Sequence, residues 1–248
     1  MVGDPPRPPP PPMDDGHALF LDVDGTLLDF AGHPDEVRVP ETLGPTLAAL
    51  HRRLEGAIAL VSGRPLDVLD ALFHPLRLPA AGLHGLELRT GDSERHAPEP
   101  PPALAGVLER ARAFGADRPH TVVEDKGSAI GMHWRNAPEY GEDMRRFAEQ
   151  ALERLPGYRL QLGKQVAELR PKGADKGDAI ALFMQEPPFR DRHPVFAGDD
   201  LTDEHGFQVI NGLGGTSVLV GDRAPSAARY RLADTHAVLQ WLQQGAEA

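Results

Sequence analysis

The sequence contains no cysteine and no long apolar run. Without cysteine there is no disulfide framework, no thiol nucleophile and no cysteine-based zinc or iron–sulfur site. No stretch of 18 apolar residues occurs, and residues 1–12 lack the apolar segment of a secretory signal. Basic residues are also scarce, since 26 Lys and Arg stand against 37 Asp and Glu, a net charge of −11. These features argue against membrane and nucleic-acid partners and predict a cytoplasmic protein.

Clusters of proline divide the 248-residue chain. Seven of the first twelve residues are proline, which lacks a backbone donor and favours polyproline II. We therefore predict that residues 1–16 are a disordered tail, with a docking segment for a proline-binding module as the alternative. A second cluster, four prolines between positions 97 and 102, predicts a linker.

The order of apolar runs and helical patterns along the chain predicts the fold class. Short apolar runs at 18–23, 57–61, 195–198 and 217–220 alternate with helical patterns, the first of them near Pro40. This alternation is typical of a parallel sheet covered by helices. The intervening segment has its own mixture of helices and strands. We predict an α/β protein with a Rossmann-like parallel-sheet core (residues 17–98 and 173–248) and an inserted α+β domain (residues 99–172).

Two carboxylates follow the first predicted strand directly, in the sequence Asp22-Val23-Asp24-Gly25. Ligands of open α/β sheets bind beyond the carboxyl ends of the strands. Aspartates so close repel each other and are rare at buried strand ends, so a divalent cation would stabilise them. The alternative is an ordinary Asp-Gly turn between two strands. It is disfavoured because a second acidic cluster occupies a similar place downstream.

That second cluster, residues 199–204, follows another predicted strand. Helix capping explains acids such as Asp203, which fall in a first helical turn. It does not explain Asp199 and Asp200, which come where the strand ends. Carboxylate oxygens are the ligands that Mg²⁺ prefers. The two clusters together therefore predict a magnesium site.

Two weaker signals accompany the carboxylates. Ser62-Gly63-Arg64 closes the second predicted strand, and Lys176 opens a helix after residues 171–173. Ser-Gly turns are common and a lone lysine is usually solvated, so neither signal is specific alone. In the order Asp-x-Asp-Gly-Thr, Ser, Lys and Gly-Asp-Asp, however, the four elements resemble the motifs of the haloacid dehalogenase superfamily.

The resemblance implies a phosphotransferase with the following roles. Asp22 is the nucleophile that forms an aspartyl-phosphate, and Asp24 is first the general acid and then the base. Mg²⁺ is held by Asp22, by the backbone carbonyl of Asp24 and by Asp199. Ser62 and Lys176 bind the phosphoryl group. The other residues expected to bind substrate are Gly25, Thr26 and Arg64. Those expected to support the metal site are Asp200 and Asp203. Positive charge from Mg²⁺ and lysine would offset the repulsion between phosphoryl group and carboxylate.

A closer resemblance is to the trehalose-6-phosphate phosphatase family, and it extends from about residue 17 over nearly the whole chain. It is carried by Leu27-Leu28, Ser62-Gly63-Arg64-Pro65, Gly82-Leu83-His84-Gly85 and Gly198–Glu204, and by three elements of the inserted segment. These elements imply a cap domain whose polar side chains contact the hydroxyls of the disaccharide: Glu124, Lys126, Arg135, Asn136, Lys164 and Glu168. The implied reaction releases trehalose and phosphate, the last step of trehalose biosynthesis.

Strand alternation supports one shared face for these residues. Glu124 and Lys126 are two apart, and Lys164 shares the side of Glu168 if that strand is continuous. For any single pair, the alternative is an exposed strand face with ordinary salt bridges. His133 is expected to pack or to make the strand polar rather than to bind a ligand.

Other functions stay open. The same fold could carry a phosphatase or mutase for another sugar phosphate. An inactive regulatory domain is disfavoured, because Asp22, Asp24 and Lys176 are all present. The expected partner is a small-molecule sugar phosphate. The sequence leaves the oligomeric state open, with a monomer as the simplest expectation.

Overall fold

The computed structural model describes residues 7–30, 37–91, 93–173 and 175–247. Within them the chain divides into two compact units. The inserted unit is Ala97–Gly173, and the core unit comprises the described residues on either side of it. Across the described part of the chain, no helix combines the length and apolar character needed to cross a membrane.

The elements follow one another in this order. The strands are β1 His17–Leu21, β2 Ile58–Val61, β3 Ala80–Gly82, β4 Glu87–Thr90, β5 Ser93–Arg95, β6 Val122–Asp125, β7 Ile130–His133, β8 Tyr158–Gly163, β9 Val166–Pro171, β10 His193–Gly198, β11 Thr216–Val220 and β12 Tyr230–Leu232. The helices are α1 Leu43–Arg53, α2 Leu66–Phe73, α3 Ala103–Ala116, α4 Gly141–Ala151, α5 Lys176–Phe183, α6 Glu204–Gly212 and α7 Thr235–Glu247.

An eight-stranded sheet forms the centre of the core unit, in the order β12-β11-β10-β1-β2-β3-β4-β5. Neighbouring strands are parallel except at one edge, where β4 pairs antiparallel with both β3 and β5. The strands β1, β2 and β11 are buried along their whole length. Continuous apolar strands of this kind belong to parallel sheets with both faces covered. The predicted fold class, a Rossmann-like parallel core with an inserted α+β domain, is confirmed.

The helix α1 shows how the core unit is covered. Leu43, Leu47 and Leu50 are spaced for one helical face, and all three are buried. Pro40 lies outside the helix rather than in its first turn, and its carbonyl accepts a hydrogen bond from the Leu43 N–H at 2.9 Å.

The inserted unit has one apolar and one polar sheet face. Its antiparallel strands run in the order β6-β7-β9-β8. Ile130, Met132 and Leu169 are buried in an apolar cluster that also contains residues of α3 and α4. Because side chains alternate along a strand, their neighbours Gly131 and Glu168 belong to the opposite face. The polar residues predicted to bind a sugar are concentrated on this second face and in the turns beside it.

The beginning of the chain packs against the core unit, and the prediction of a disordered tail is corrected for residues 7–16. The Arg7 guanidinium donates to the carbonyl of Ala228 at 2.7 Å, and Met13 is buried in the main apolar cluster. An extended proline segment needs no hydrogen bonds of its own, so it can lie against a surface that supplies partners for its side chains. Residues 1–6 lie outside the described residues.

Met13→Ala tests this packing. We expect a loss of about 2 kcal/mol in the free energy of unfolding, because the substitution deletes a buried side chain. Chemical denaturation in urea measures the loss. Pro12→Ala, an exposed neighbour, is the matched control and should unfold like the unsubstituted protein. A midpoint unchanged in Met13→Ala would show that the segment is detached from the core.

Candidate active site

Three neighbouring strands bring the predicted catalytic residues to one edge of the sheet. β1 pairs with β10 on one side and with β2 on the other, all parallel. Asp22 follows β1, Ser62 follows β2, and Asp199 follows β10. The Asp22 N–H continues the ladder by donating to the carbonyl of Ala197 at 3.0 Å. Residues far apart in sequence therefore meet because the strands end together.

A buried lysine fixes the carboxylate of Asp22. Lys176 is the first residue of α5, and its Nζ donates to Asp22 Oδ1 at 2.7 Å and to Asp203 Oδ1 at 2.5 Å. The Thr26 hydroxyl donates to Asp22 Oδ2 at 3.2 Å. Burial alone would lower the pKa of Lys176, but the charges of Asp203 and Asp22 raise it above its ordinary value. The lysine stays charged and directs one oxygen of Asp22.

The start of α5 is itself held in place. Asp175 caps the helix, with Oδ1 accepting from the N–H groups of Gly177 at 2.9 Å and Asp178 at 3.1 Å. The ring nitrogen Nδ1 of His205 lies 2.6 Å from the same oxygen. Sequence analysis assigned no role to Asp175 or His205. The two aspartates three residues apart are a capping signal that could have revealed the first of them.

Three carboxylates, those of Asp22, Asp199 and Asp203, have oxygens within 4.8 Å of one another. Asp203 uses both of its oxygens, since Oδ1 binds Lys176 and Oδ2 accepts from the N–H groups of Asp199 and Asp200, each at 2.9 Å. Oδ1 of Asp199, in contrast, is buried and has no hydrogen-bond partner in the described part of the chain. Asp203 therefore orients the loop, and Asp199 is left with an unmatched oxygen.

The pKa values of two carboxylates in this cluster are raised. Burial raises the pKa of Asp22 to about 7 and that of Asp199 to about 9, and their mutual repulsion adds to the effect on Asp199. A divalent cation would offset this repulsion and satisfy the orphaned oxygen. Asp22, Asp199 and Asp203 offer carboxylate oxygens, the hard donors that suit Mg²⁺.

Gly25 makes the approach of the two acidic loops possible. Its φ is +88°, a left-handed conformation that favours glycine, and a Cβ there would lie 2.3 Å from Asp199 Oδ2. The sequence did not indicate this structural role of Gly25, which is to leave space for the Asp199 carboxylate. A contact between Gly25 or Thr26 and substrate stays a prediction.

Asp24 is paired with arginine. The Arg64 guanidinium donates two hydrogen bonds to the Asp24 carboxylate, from Nε to Oδ2 at 2.7 Å and from Nη2 to Oδ1 at 2.8 Å. The Arg64 N–H also donates to Ser62 Oγ at 3.1 Å. The pair orients the predicted acid and base and joins it to the end of β2. Phosphate binding by Ser62 and Arg64 stays a prediction.

A second arginine, Arg223, holds the loop after β10 and was missed by sequence analysis. Its guanidinium donates to the backbone carbonyls of Asp199 and Asp200, both at 3.2 Å, and to the Glu204 carboxylate. The Asp200 carboxylate caps the next turn by accepting from the Leu201 N–H at 2.7 Å. No pattern links an arginine to carbonyls more than twenty residues away, so only the structure reveals this contact.

The polar face of the inserted unit brings three of its predicted residues together. Lys126 Nζ lies 2.6 Å from Glu168 Oε2 and 3.9 Å from Glu124 Oε2. Lys126 follows the end of β6 directly, and Glu168 is in the middle of β9. Carboxylate pairs bridged by a lysine offer both acceptors and a donor.

The other three predicted residues are in turns at one end of that sheet. Arg135 and Asn136 follow β7, and Lys164 lies in the turn between β8 and β9. The turns are adjacent, because the Trp134 N–H donates to the carbonyl of Gln165 at 3.0 Å. The condition for Lys164 to share the side of Glu168, a continuous strand between them, is not met, because β9 begins at Val166 after the left-handed Gln165.

A parallel sheet with acidic loops and a buried lysine at its carboxyl edge, together with an inserted α+β unit, has the fold of the haloacid dehalogenase class of proteins. The family model described as trehalose-phosphatase matches residues 20–236. The chain belongs to the trehalose-phosphatase family.

Individual relatives support this membership. The chain is 43% identical to trehalose-6-phosphate phosphatase of Escherichia coli K12, over 94% of this chain and 88% of that protein. It is 44% identical to a probable trehalose-phosphate phosphatase of Sinorhizobium fredii, over 86% and 81%. The solved C-terminal domain of Candida albicans trehalose-6-phosphate phosphatase has the same fold, with a TM-score of 0.81, 19% identity and coverage of 96% and 98%. The protein is thus an enzyme, a phosphoric monoester hydrolase.

Proposed function

We propose that the enzyme hydrolyses trehalose 6-phosphate to trehalose and inorganic phosphate, through a phosphorylated Asp22 and with Mg²⁺ bound. The observation that carries the proposal is the Asp22 carboxylate itself. It is buried at a strand end, oriented by Lys176 at 2.7 Å, and placed beside Asp199. The names of the related proteins support the choice of sugar.

The chemistry divides into two steps in which phosphorus passes from sugar to enzyme and then to water. In the first, an oxygen of Asp22 attacks phosphorus and the bond from phosphorus to the sugar oxygen breaks. Asp24 gives that oxygen a proton, which it must carry on an oxygen that has released its contact with Arg64. In the second, water attacks the aspartyl-phosphate, Asp24 accepts its proton, and Asp22 leaves as a carboxylate. Ser62 and Lys176 hold the phosphoryl oxygens in both steps.

The residues that would hold Mg²⁺ are Asp22 and Asp199 through their carboxylates and Asp24 through its backbone carbonyl. When bound, the ion supplies the positive charge that lets a phosphoryl dianion approach a carboxylate. Asp203 and Asp200 keep the loop after β10 in the shape that presents Asp199.

The inserted unit acts as a cap domain that recognises the disaccharide. A sugar presents many hydroxyls and little apolar surface, so it needs carboxylate acceptors and cationic or amide donors. The polar face and the turns beside it supply both kinds, in Glu124 and Glu168 on the strands and in Lys126, Arg135, Asn136 and Lys164 in the turns.

A phosphate-release screen tests the proposal. With Mg²⁺, we expect kcat/KM for trehalose 6-phosphate to exceed that for glucose 6-phosphate by at least about 100-fold, since the smaller sugar loses several hydrogen bonds. EDTA should reduce release to background, and added Mg²⁺ should restore it. A preference for a monosaccharide phosphate would contradict the substrate, little release from any sugar phosphate would favour a mutase, and full activity in EDTA would contradict the metal.

A further inference from the structure

We propose that His133 is a positioning residue that determines disaccharide specificity, by holding the Glu124 carboxylate in the orientation that accepts a sugar hydroxyl, and that Gly131 leaves the space this contact needs. The inference rests on the proposed function, because it concerns how the same enzyme recognises its sugar. It assigns a role to a histidine for which the sequence indicated only packing or strand polarity.

The register of two strands brings the histidine to the glutamate. In the antiparallel pair β6–β7, Glu124 lies opposite Gly131, and His133 lies two residues further along β7 on the same face. The imidazole leans across Gly131, so that Nε2 of His133 is 2.8 Å from Oε2 of Glu124. An ionised carboxylate only accepts hydrogen bonds, so Nε2 carries the proton and donates it.

The diagonal contact between His133 and Glu124 requires a residue without a side chain at position 131. A Cβ there would lie 2.9 Å from Nε2 of His133 and 3.2 Å from Oε2 of Glu124. Gly131 also pairs with Glu168 on its other side, in β9. Gly131, which has no side chain, therefore lies between the carboxylates of Glu124 and Glu168 on one face of the sheet.

The contacts of Glu124 involve one of its two carboxylate oxygens and leave the other for a ligand. Oε2 accepts the hydrogen bond from the imidazole and forms an ion pair with the Lys126 ammonium at 3.9 Å. Oε1 has no hydrogen bond or ion pair within residues 7–30, 37–91, 93–173 and 175–247, and is available to accept from a hydroxyl. Burial raises the pKa of Glu124, but the hydrogen bond from His133 and the charge of Lys126 lower it below its ordinary value. The carboxylate thus stays ionised while its side chain is 25% exposed.

Two pairs of variants separate positioning from packing. His133→Phe keeps a ring and removes the donor, whereas His133→Gln keeps an N–H at a similar distance from the backbone. Gly131→Ala retains both polar groups and displaces the flexible imidazole tip. Gly106→Ala is the matched control, because a Cβ at that helical position of the same unit meets no atom within 4 Å.

The experiment measures KM and kcat for trehalose 6-phosphate and for p-nitrophenyl phosphate, with trehalose binding followed by calorimetry. We expect His133→Phe and Gly131→Ala to raise KM for the sugar phosphate about 10-fold and to weaken trehalose binding similarly, as for a lost hydrogen bond to a charged group. Values for the aryl phosphate should stay within about 2-fold, because it has no sugar hydroxyls. His133→Gln should recover most of the loss, and Gly106→Ala should behave like the unsubstituted enzyme.

Several results would overturn the inference. They are an unchanged KM in His133→Phe, equal losses on both substrates, or a His133→Gln variant no better than His133→Phe. Thermal unfolding of each variant identifies a loss caused by misfolding, in which case calorimetry on Gly131→Ala decides. The proposed function fails separately, since it is contradicted by the unsubstituted enzyme if that protein neither hydrolyses trehalose 6-phosphate nor binds trehalose.

Discussion

Asp22→Asn should lower phosphate release by about 10⁴-fold or more, the loss typical of removing a nucleophile. An amide has nearly the same shape as a carboxylate, but its oxygen is neutral and does not attack phosphorus. The ammonium of Lys176 keeps Asp203 as a partner at 2.5 Å, so the charge is not stranded in the core. The measurement is the steady-state release of phosphate at saturating substrate and Mg²⁺.

The control for this variant is Asp67→Asn, an exposed aspartate of the same unit, which should retain full activity. Thermal unfolding should show Asp22→Asn to be folded. If the folded variant released phosphate at more than about 1% of the normal rate, water would be attacking the substrate directly, and another group would have to activate it.

Lys176→Met has the second large effect, and it acts on stability as well as activity. Methionine has a similar length but no charge, so the buried carboxylates of Asp22 and Asp203 lose their counterion. Breaking a buried ion pair on one side costs about 3–5 kcal/mol. We expect that loss in urea denaturation, together with a fall of about 10³-fold in phosphate release, because the phosphoryl oxygens also lose a cation.

Lys172→Met provides the comparison, since that lysine is exposed and its removal should leave stability and rate nearly unchanged. The stability change is the sharper test of the geometry. If Lys176→Met unfolded at the same urea concentration as the unsubstituted protein, the 2.7 Å and 2.5 Å contacts of Lys176 would not represent its environment in solution.

The candidate site was largely predictable because its residues follow strands. Asp22, Ser62 and Asp199 each end an apolar run, and parallel strands place such ends at a common edge whatever their separation in sequence. The alternation of apolar runs with helical patterns also predicted the parallel core and the different character of the inserted segment. The roles of these residues came from the resemblance to the haloacid dehalogenase superfamily, and the metal site stays a prediction.

Contacts that depend on long side chains were not predictable. Nothing in the sequence links Arg223 to the carbonyls of residues 199 and 200, or turns Arg64 towards Asp24. The short strands β3 and β12 have three residues each, too few to show a period. Proline content suggested disorder for residues 7–16, because composition does not reveal that a neighbouring surface supplies partners.

The central claim is that the phosphoryl group passes through the carboxylate of Asp22. Acid quenching during turnover of trehalose 6-phosphate carrying a ³²P label tests it most directly. We predict label on the peptide that contains Asp22, removable by hydroxylamine as expected for an acyl phosphate, and none in Asp22→Asn. Absence of labelled protein while phosphate is being released at full rate, or label on a different residue, would contradict the account.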